Sequence, residues 1–244
     1  MADKQLIKNR FSANFRTYNE NAIVQKAAIT ELTKLVPFKE YQNVLEIACG
    51  TGLLTQKLDY LNAKKLYLND LSEDVKTYIK LRNLPYEFLI GDAEEIVFPD
   101  NLDLIISSNA IQWFENPKVF FENVCSALNN GGLFIFSTYV IGNCKELSDV
   151  FGVSLAYKTE DELVSLLEPN FAIKKHYSQK IVLNFTDLKS LLKHIQNTGV
   201  NAISSNNVLT KNMFLQAQKE YEKLRNEKGL PLTYCPAYFV VQKN

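Results

Sequence analysis

Apolar positions recur along this chain at two alternating periods, and that alternation defines a fold before any single residue does. Ile23, Ala27, Ala28, Leu32 and Leu35 fall mostly three or four apart, the spacing of one helix face, and Pro37 ends that region. Short apolar runs follow at residues 43–47, 65–68, 86–90, 102–107 and 132–137, with amphipathic stretches between them. Parallel strands need long crossover connections, so this order predicts a doubly wound α/β fold with a mostly parallel sheet.

Local chemistry marks several element ends. Leu53, Leu54, Lys57, Leu58 and Leu61 predict a helix face, Ser72 is expected to cap a further helix with Asp74 in its first turn, and Asn-Asn-Gly-Gly at 129–132 is expected to stop another. Thr159-x-x-Glu162 has the order of a capping box for a helix over 159–167, which Pro169 closes. A long β pattern covers 171–185, and an antiparallel final strand at 237–242 is expected to pair with it. The segment between is too long for a hairpin loop and reads as two helices. The expectation is one domain over 1–244. It comprises an N-terminal helical lid at 1–40, a core at 41–185, a helical insertion at 186–234 over the ligand site, and the last strand at 235–244.

Composition narrows the classes. A hydrophobic content of 46% excludes a disordered chain. Equal numbers of basic and acidic residues, 27 each, argue against a general nucleic-acid binder, which needs a basic excess. The distribution is uneven: Lys174, Lys175, Lys180, Lys189, Lys193 and Lys211 stand against the single acid Asp187, which reads either as a solvated face or as a landing surface for an acidic partner. Cys49, Cys125, Cys144 and Cys235 lack the spacing of a zinc site or a disulfide framework, so no metal is expected and a reducing cytoplasm fits. No stretch approaches the roughly 18 apolar residues of a membrane span.

Chemistry concentrates at the strand ends. The first run ends in Glu46 and enters Gly50-Thr-Gly52 before a helical pattern, the order of strand, glycine turn and helix that nucleotide cofactors use. A dinucleotide site needs a third glycine where this chain has Thr55, and a phosphate loop needs Gly-Lys-Ser/Thr, which does not occur. The ligand is therefore expected to lack a pyrophosphate. Asp70 ends the second run about 20 residues on, where a carboxylate accepts ribose hydroxyls, and Asp92 ends the third, within reach of an adenine amino group.

Leu45-Glu-Ile-Ala-Cys-Gly-Thr-Gly52, Asn69-Asp-Leu-Ser72 and Gly91-Asp-Ala-Glu-Glu95 resemble the successive motifs of class I S-adenosylmethionine-dependent methyltransferases, with Ala48 where that family usually has glycine. The resemblance implies a Rossmann-like fold, S-adenosylmethionine as cofactor, and cofactor contacts from Glu46, Ala48, Gly50, Gly52, Asp70, Leu71, Asp92, Ala93 and Asn109. Further stretches resemble the malonyl-[acyl-carrier protein] O-methyltransferases of biotin synthesis. These are Arg10-Phe11-Ser12, Thr17-Tyr18, Ala22-x-x-Gln25, Ser107-Ser-Asn-Ala-Ile-Gln-Trp113, Gly131-Gly-Leu-Phe-Ile-Phe-Ser-Thr138, Asn143 with Glu146-Leu147, Ser154-Leu-x-Tyr157, Leu191-Leu-Lys-His194, Asn197-Thr-Gly-Val-Asn-Ala202 and Pro231-Leu-Thr-Tyr234 with Pro236.

That second resemblance implies methyl transfer to a carboxylate that is already ionised at pH 7, so positioned donors rather than a general base would do the work. Tyr18, Gln112, Trp113, His194 and Tyr234 are the donors it points to. Each also has a packing reading, and His194 beside Lys193 reads equally as a surface residue. Arg10 and Arg16 are either surface charges or partners for acceptor or carrier anions. The partner implied is an acidic acyl-carrier protein docking near Lys189 and Lys193. A methyltransferase for another carboxylate such as trans-aconitate, and a binding protein without catalysis, remain as alternatives.

Overall fold

A computed structural model of the chain describes residues 4–152, 154–198 and 210–244. Five strands form the parallel part of the sheet: β1 (Tyr41–Ile47), β2 (Ala63–Asp70), β3 (Tyr86–Ile90), β4 (Leu102–Ser108) and β5 (Leu128–Tyr139). Two more join later in the chain, β6 (Phe171–Ser178) and the last strand, β9 (Pro236–Lys243), giving the order β3-β2-β1-β4-β5-β9-β6. Only β9 runs antiparallel to its neighbours. Strand order reverses between β1 and β4, which opens a crevice at their carboxyl ends, where ligands bind in open α/β sheets.

The sheet buries both faces, as a parallel sheet must. Phe134 and Phe136 of β5 pack with Phe239 of β9 and with Phe120 and Phe121 of α5 (Pro117–Ala127) on one side. On the other, Leu133 and Ile135 join Ala28, Ile29 and Leu32 of α2 (Ile23–Thr33). A third cluster lies off the sheet, where Leu188, Leu191 and Ile195 of α8 (Leu188–Asn197) meet Tyr221 of α9 (Lys211–Glu222) and Leu232 of β8 (Leu230–Tyr234). α1 (Lys4–Asn21) crosses above and is tied to this cluster through Asn197, which donates to Asn21 at 3.2 Å.

Several expectations change in detail. The β pattern at 171–185 is two strands, β6 and β7 (Ile181–Phe185), and β7 pairs with β8 in a separate two-stranded sheet. The final strand thus pairs only with the first half of that pattern, because Cys235 separates β8 from β9 and Pro236 has no N–H for the ladder. As a result the insertion is not wholly helical, since 230–234 is strand. The helices after the glycine turn and after Ser72 are single turns, α3 (Thr55–Leu58) and α4 (Val75–Tyr78), and Asp74 rather than Ser72 occupies the cap position of α4. Residues 129–132 lie inside β5, which begins directly where α5 ends. Between these elements and β6 lie α6 (Lys145–Phe151) and α7 (Glu160–Leu167), the latter opened by the complete Thr159–Glu162 capping box. Among the described residues no helix is long and apolar enough to cross a membrane.

Candidate active site

The turn after β1 is shaped by backbone that glycine favours: Ala48, Gly50 and Gly52 all have positive φ, at 55°, 54° and 82°. Nothing lies within 4 Å of where a Gly50 Cβ would stand, so that face of the turn opens into the crevice. Gly52 faces the other way, and a Cβ there would meet Ile79 at 2.8 Å. Asp70, at the end of β2, holds the turn by accepting from the Gly50 N–H at 2.8 Å, while its other oxygen accepts from Ser72 N–H at 2.9 Å. Burial raises the Asp70 pKa, and these backbone donors oppose the rise. Asp92, at the end of β3, accepts from Glu94 N–H at 3.0 Å and is paired with Lys4 of α1, whose ammonium also lies 2.7 Å from Glu94.

A cleft of about 180 Å³ runs along these strand ends. Glu46, Ala48, Gly50, Asp70, Leu71, Asp92, Ala93 and Asn109 line it; Gly52, the ninth residue expected to contact the cofactor, instead packs against Ile79 behind the turn. Three buried oxygens at the cleft lack a hydrogen-bond partner: Glu46 Oε2, Gln25 Oε1 and Asn109 Oδ1. Unpaired buried acceptors cost about 1–3 kcal/mol each, and three such acceptors suit an ammonium group with three N–H donors. Burial, with the Asp70 charge adding to it, pushes the Glu46 carboxyl up to about 8. A cationic ligand would reverse that rise. The cleft therefore fits a ligand carrying an ammonium, ribose hydroxyls and an adenine amino group.

A second, polar cavity adjoins the cleft. Tyr18, Gln112, Trp113 and Tyr234 line it, and so do Gln25, Asn109, Tyr139, Asn143, Tyr157 and Thr198. Tyr18, Gln25, Asn109 and Trp113 border both spaces, so the cleft and the cavity meet there. His194 does not line it. Its ring is buried behind Tyr234, with Nε2 2.9 Å from the tyrosine oxygen, and burial lowers its pKa, which keeps the imidazole neutral. Gln112 is largely committed within the protein, donating to Asn109 O and accepting from Thr138 at 3.0 Å. Burial raises the phenol pKa values of Tyr18, Tyr139, Tyr157 and Tyr234, so each keeps its proton.

Tyr139 was not among the expected donors, although its hydroxyl is buried without a partner. The available signal was its place at the carboxyl end of β5, the strand beside β4. Gln25, Asn143 and Tyr157 were visible only as matched positions of a resemblance. The expected stretch Thr198-Gly-Val-Asn-Ala202 lies outside the described residues from 199 onward, as do the side chains of Arg10 and Arg16. Among the described residues no three His, Cys, Asp or Glu side chains are grouped to hold a metal.

Residues 45–136 match the family model described as a methyltransferase domain. Solved structures with the same fold include a putative methyltransferase from Bacillus halodurans, with a TM-score of 0.65 at 16% identity over 89% of this chain and 99% of that one. Another is the N-methyltransferase NodS from Bradyrhizobium japonicum in complex with S-adenosyl-L-homocysteine, with a TM-score of 0.51 at 12% identity over 88% and 85% of the two chains. Fold, motif order and cleft together define a class I S-adenosylmethionine-dependent methyltransferase. Full-length relatives are more particular. The malonyl-[acyl-carrier protein] O-methyltransferase of Calditerrivibrio nitroreducens is 36% identical over 97% of this chain and 96% of its own length. That of Bacteroides thetaiotaomicron is 32% identical over 99% and 98%. The chain belongs to the malonyl-[acyl-carrier protein] O-methyltransferase family.

Proposed function

We propose that this protein transfers a methyl group from S-adenosylmethionine to the free carboxylate of malonyl-[acyl-carrier protein], giving the methyl ester that primes pimeloyl and biotin synthesis. The observation that carries this reading is the junction at Tyr18, Gln25, Asn109 and Trp113, where a cleft rimmed by carboxylates meets a cavity rimmed by neutral donors. When bound, the cofactor supplies an electrophilic methyl on a sulfonium. Glu46, Gln25 and Asn109 hold its ammonium, Asp70 its ribose hydroxyls and Asp92 its adenine amino group. Lys4 must yield Asp92 to do so.

On the acceptor side the described lining contains no cation. Neutral phenols and amides align a carboxylate without drawing off the charge that makes it nucleophilic, and burial keeps water from competing. His194 steadies Tyr234 from behind and removes no proton from the acceptor. Lys189 and Lys193 are exposed one turn apart on α8, on the side away from buried Leu191 and Ile195, and steer the acidic carrier. Lys174 and Lys175 lie on the edge strand β6, where lysines also discourage pairing with another chain.

The direct test is methyl transfer from labelled S-adenosylmethionine to malonyl, succinyl and acetyl carriers. Labelling of the malonyl carrier alone is expected; labelling of none would overturn the reading. Charge reversal at Lys189 and Lys193 should slow turnover of the carrier and spare malonyl-coenzyme A. Equal loss on both would defeat the docking assignment.

A further inference from the structure

Asn143, in the loop after β5, is 3% exposed and bonds in two directions. Its Oδ1 accepts from the backbone N–H of Cys235 at 3.1 Å. A backbone N–H can only donate, so the orientation of the amide is fixed and Nδ2 is the end that faces Tyr157 Oη at 2.8 Å. An amide NH₂ also only donates, so the Tyr157 oxygen must accept. Its own proton is then left over, and no described protein atom takes it. Tyr157 lines the acceptor cavity.

We infer that Asn143 is a positioning residue that sets the hydrogen-bond polarity of Tyr157, turning its hydroxyl into a proton donor toward the anionic oxygen of the acceptor. The inference rests on the carboxylate-methylation reading above and adds two residues to it. Burial holds the Tyr157 phenol well above its ordinary range, so the donor persists at every working pH. The same amide ties down Cys235, next to Tyr234, and Glu146 holds Thr233 on the other side through its N–H at 3.0 Å and its hydroxyl. The segment at 143–146, entering α6, thereby fixes the positions of two tyrosines on one cavity.

Asn143→Asp is nearly isosteric and makes the polarity switchable. As a neutral acid it donates to Tyr157 as the amide does; as a carboxylate it accepts the Tyr157 proton and removes the donor. The wild type is first assayed on the malonyl carrier, since a wild type without activity refutes the parent reading rather than this one. With an active wild type, Asn143→Asp should retain kcat/KM at low pH and lose about tenfold or more as pH rises, in a limb absent from the wild type. Tyr157→Phe should lose about tenfold at all pH values, with S-adenosylhomocysteine affinity by calorimetry within twofold of wild type. In the double variant the limb should shrink, because no hydroxyl remains to be turned. A Tyr157→Phe enzyme with wild-type kcat/KM, an Asn143→Asp profile parallel to wild type, or a full limb persisting in the double variant would each overturn the inference.

Discussion

The two halves of the site are built on different principles. The cofactor half takes its carboxylates from consecutive strand ends, β1, β2 and β3, and two of them, Asp70 and Asp92, are held by backbone N–H groups a few residues away or on the adjacent turn. The acceptor half takes its tyrosines and amides from α1, α2, β5, the loops around α6, and β8, and holds them by side-chain pairs such as His194–Tyr234 and Asn143–Tyr157. Backbone-held chemistry follows from the fold itself and is shared across a class. Side-chain-held chemistry depends on which distant elements meet, and that is where the specificity of one family resides.

This contrast breaks most decisively at Asp70. Asp70→Ala removes the acceptor of two backbone donors along with a ligand contact, so affinity for S-adenosylhomocysteine should fall about 100-fold by calorimetry. A change under threefold would mean the turn does not depend on it. The next effect is on stability. In the folded protein burial pushes the Glu46 carboxyl up to about 8, against its ordinary value of 4.5. Between those limits the folded state holds a proton the unfolded chain has released, so stability should fall as pH rises, by up to about 1.4 kcal/mol per pH unit, and level off above that window. Denaturant titrations from pH 5 to 9 would show the slope, and Glu46→Gln should remove the share that Glu46 contributes.

Tyr234→Phe tests the other half. It should lower kcat/KM for the malonyl carrier about tenfold while leaving cofactor affinity unchanged. A matching loss of cofactor affinity would erase the division between the halves. The smallest effect is expected at Ala48, whose φ of 55° costs an alanine about 1 kcal/mol or more that glycine avoids. Glycine also gains freedom in the unfolded chain, so Ala48→Gly should raise stability by only about 0.5–1 kcal/mol in thermal melts, with activity retained.

The same division explains what was readable beforehand. Glu46, Asp70 and Asp92 could be found because each ends an apolar run, and a strand end in a parallel sheet is a position in space as well as in sequence. Tyr139 had only its strand-end position and Tyr157 only a matched stretch to mark it, because nothing local says which tyrosines converge. His194 shows the intermediate case. Its neighbour Lys193 suggested solvent, yet Leu188, Leu191, Ile195 and Thr198 mark the buried face of α8, and His194 falls on it. The break at Cys235, between β8 and β9, falls at the expected boundary between insertion and last strand, but nothing local showed that residues 230–234 before it are strand rather than helix.

The position of β9 has a consequence for how the chain is made. It follows β6 in the chain, yet it lies inside the sheet between β5 and β6, with Phe239 and Val241 fully buried. Until it arrives, β5 presents an open apolar edge and β6 has no partner, although every strand of the cofactor half has already been made. A growing chain would therefore pass through an incomplete sheet until β9 has emerged, the kind of species that aggregates, and slow translation of the stretch between β6 and β9 would prolong that exposure.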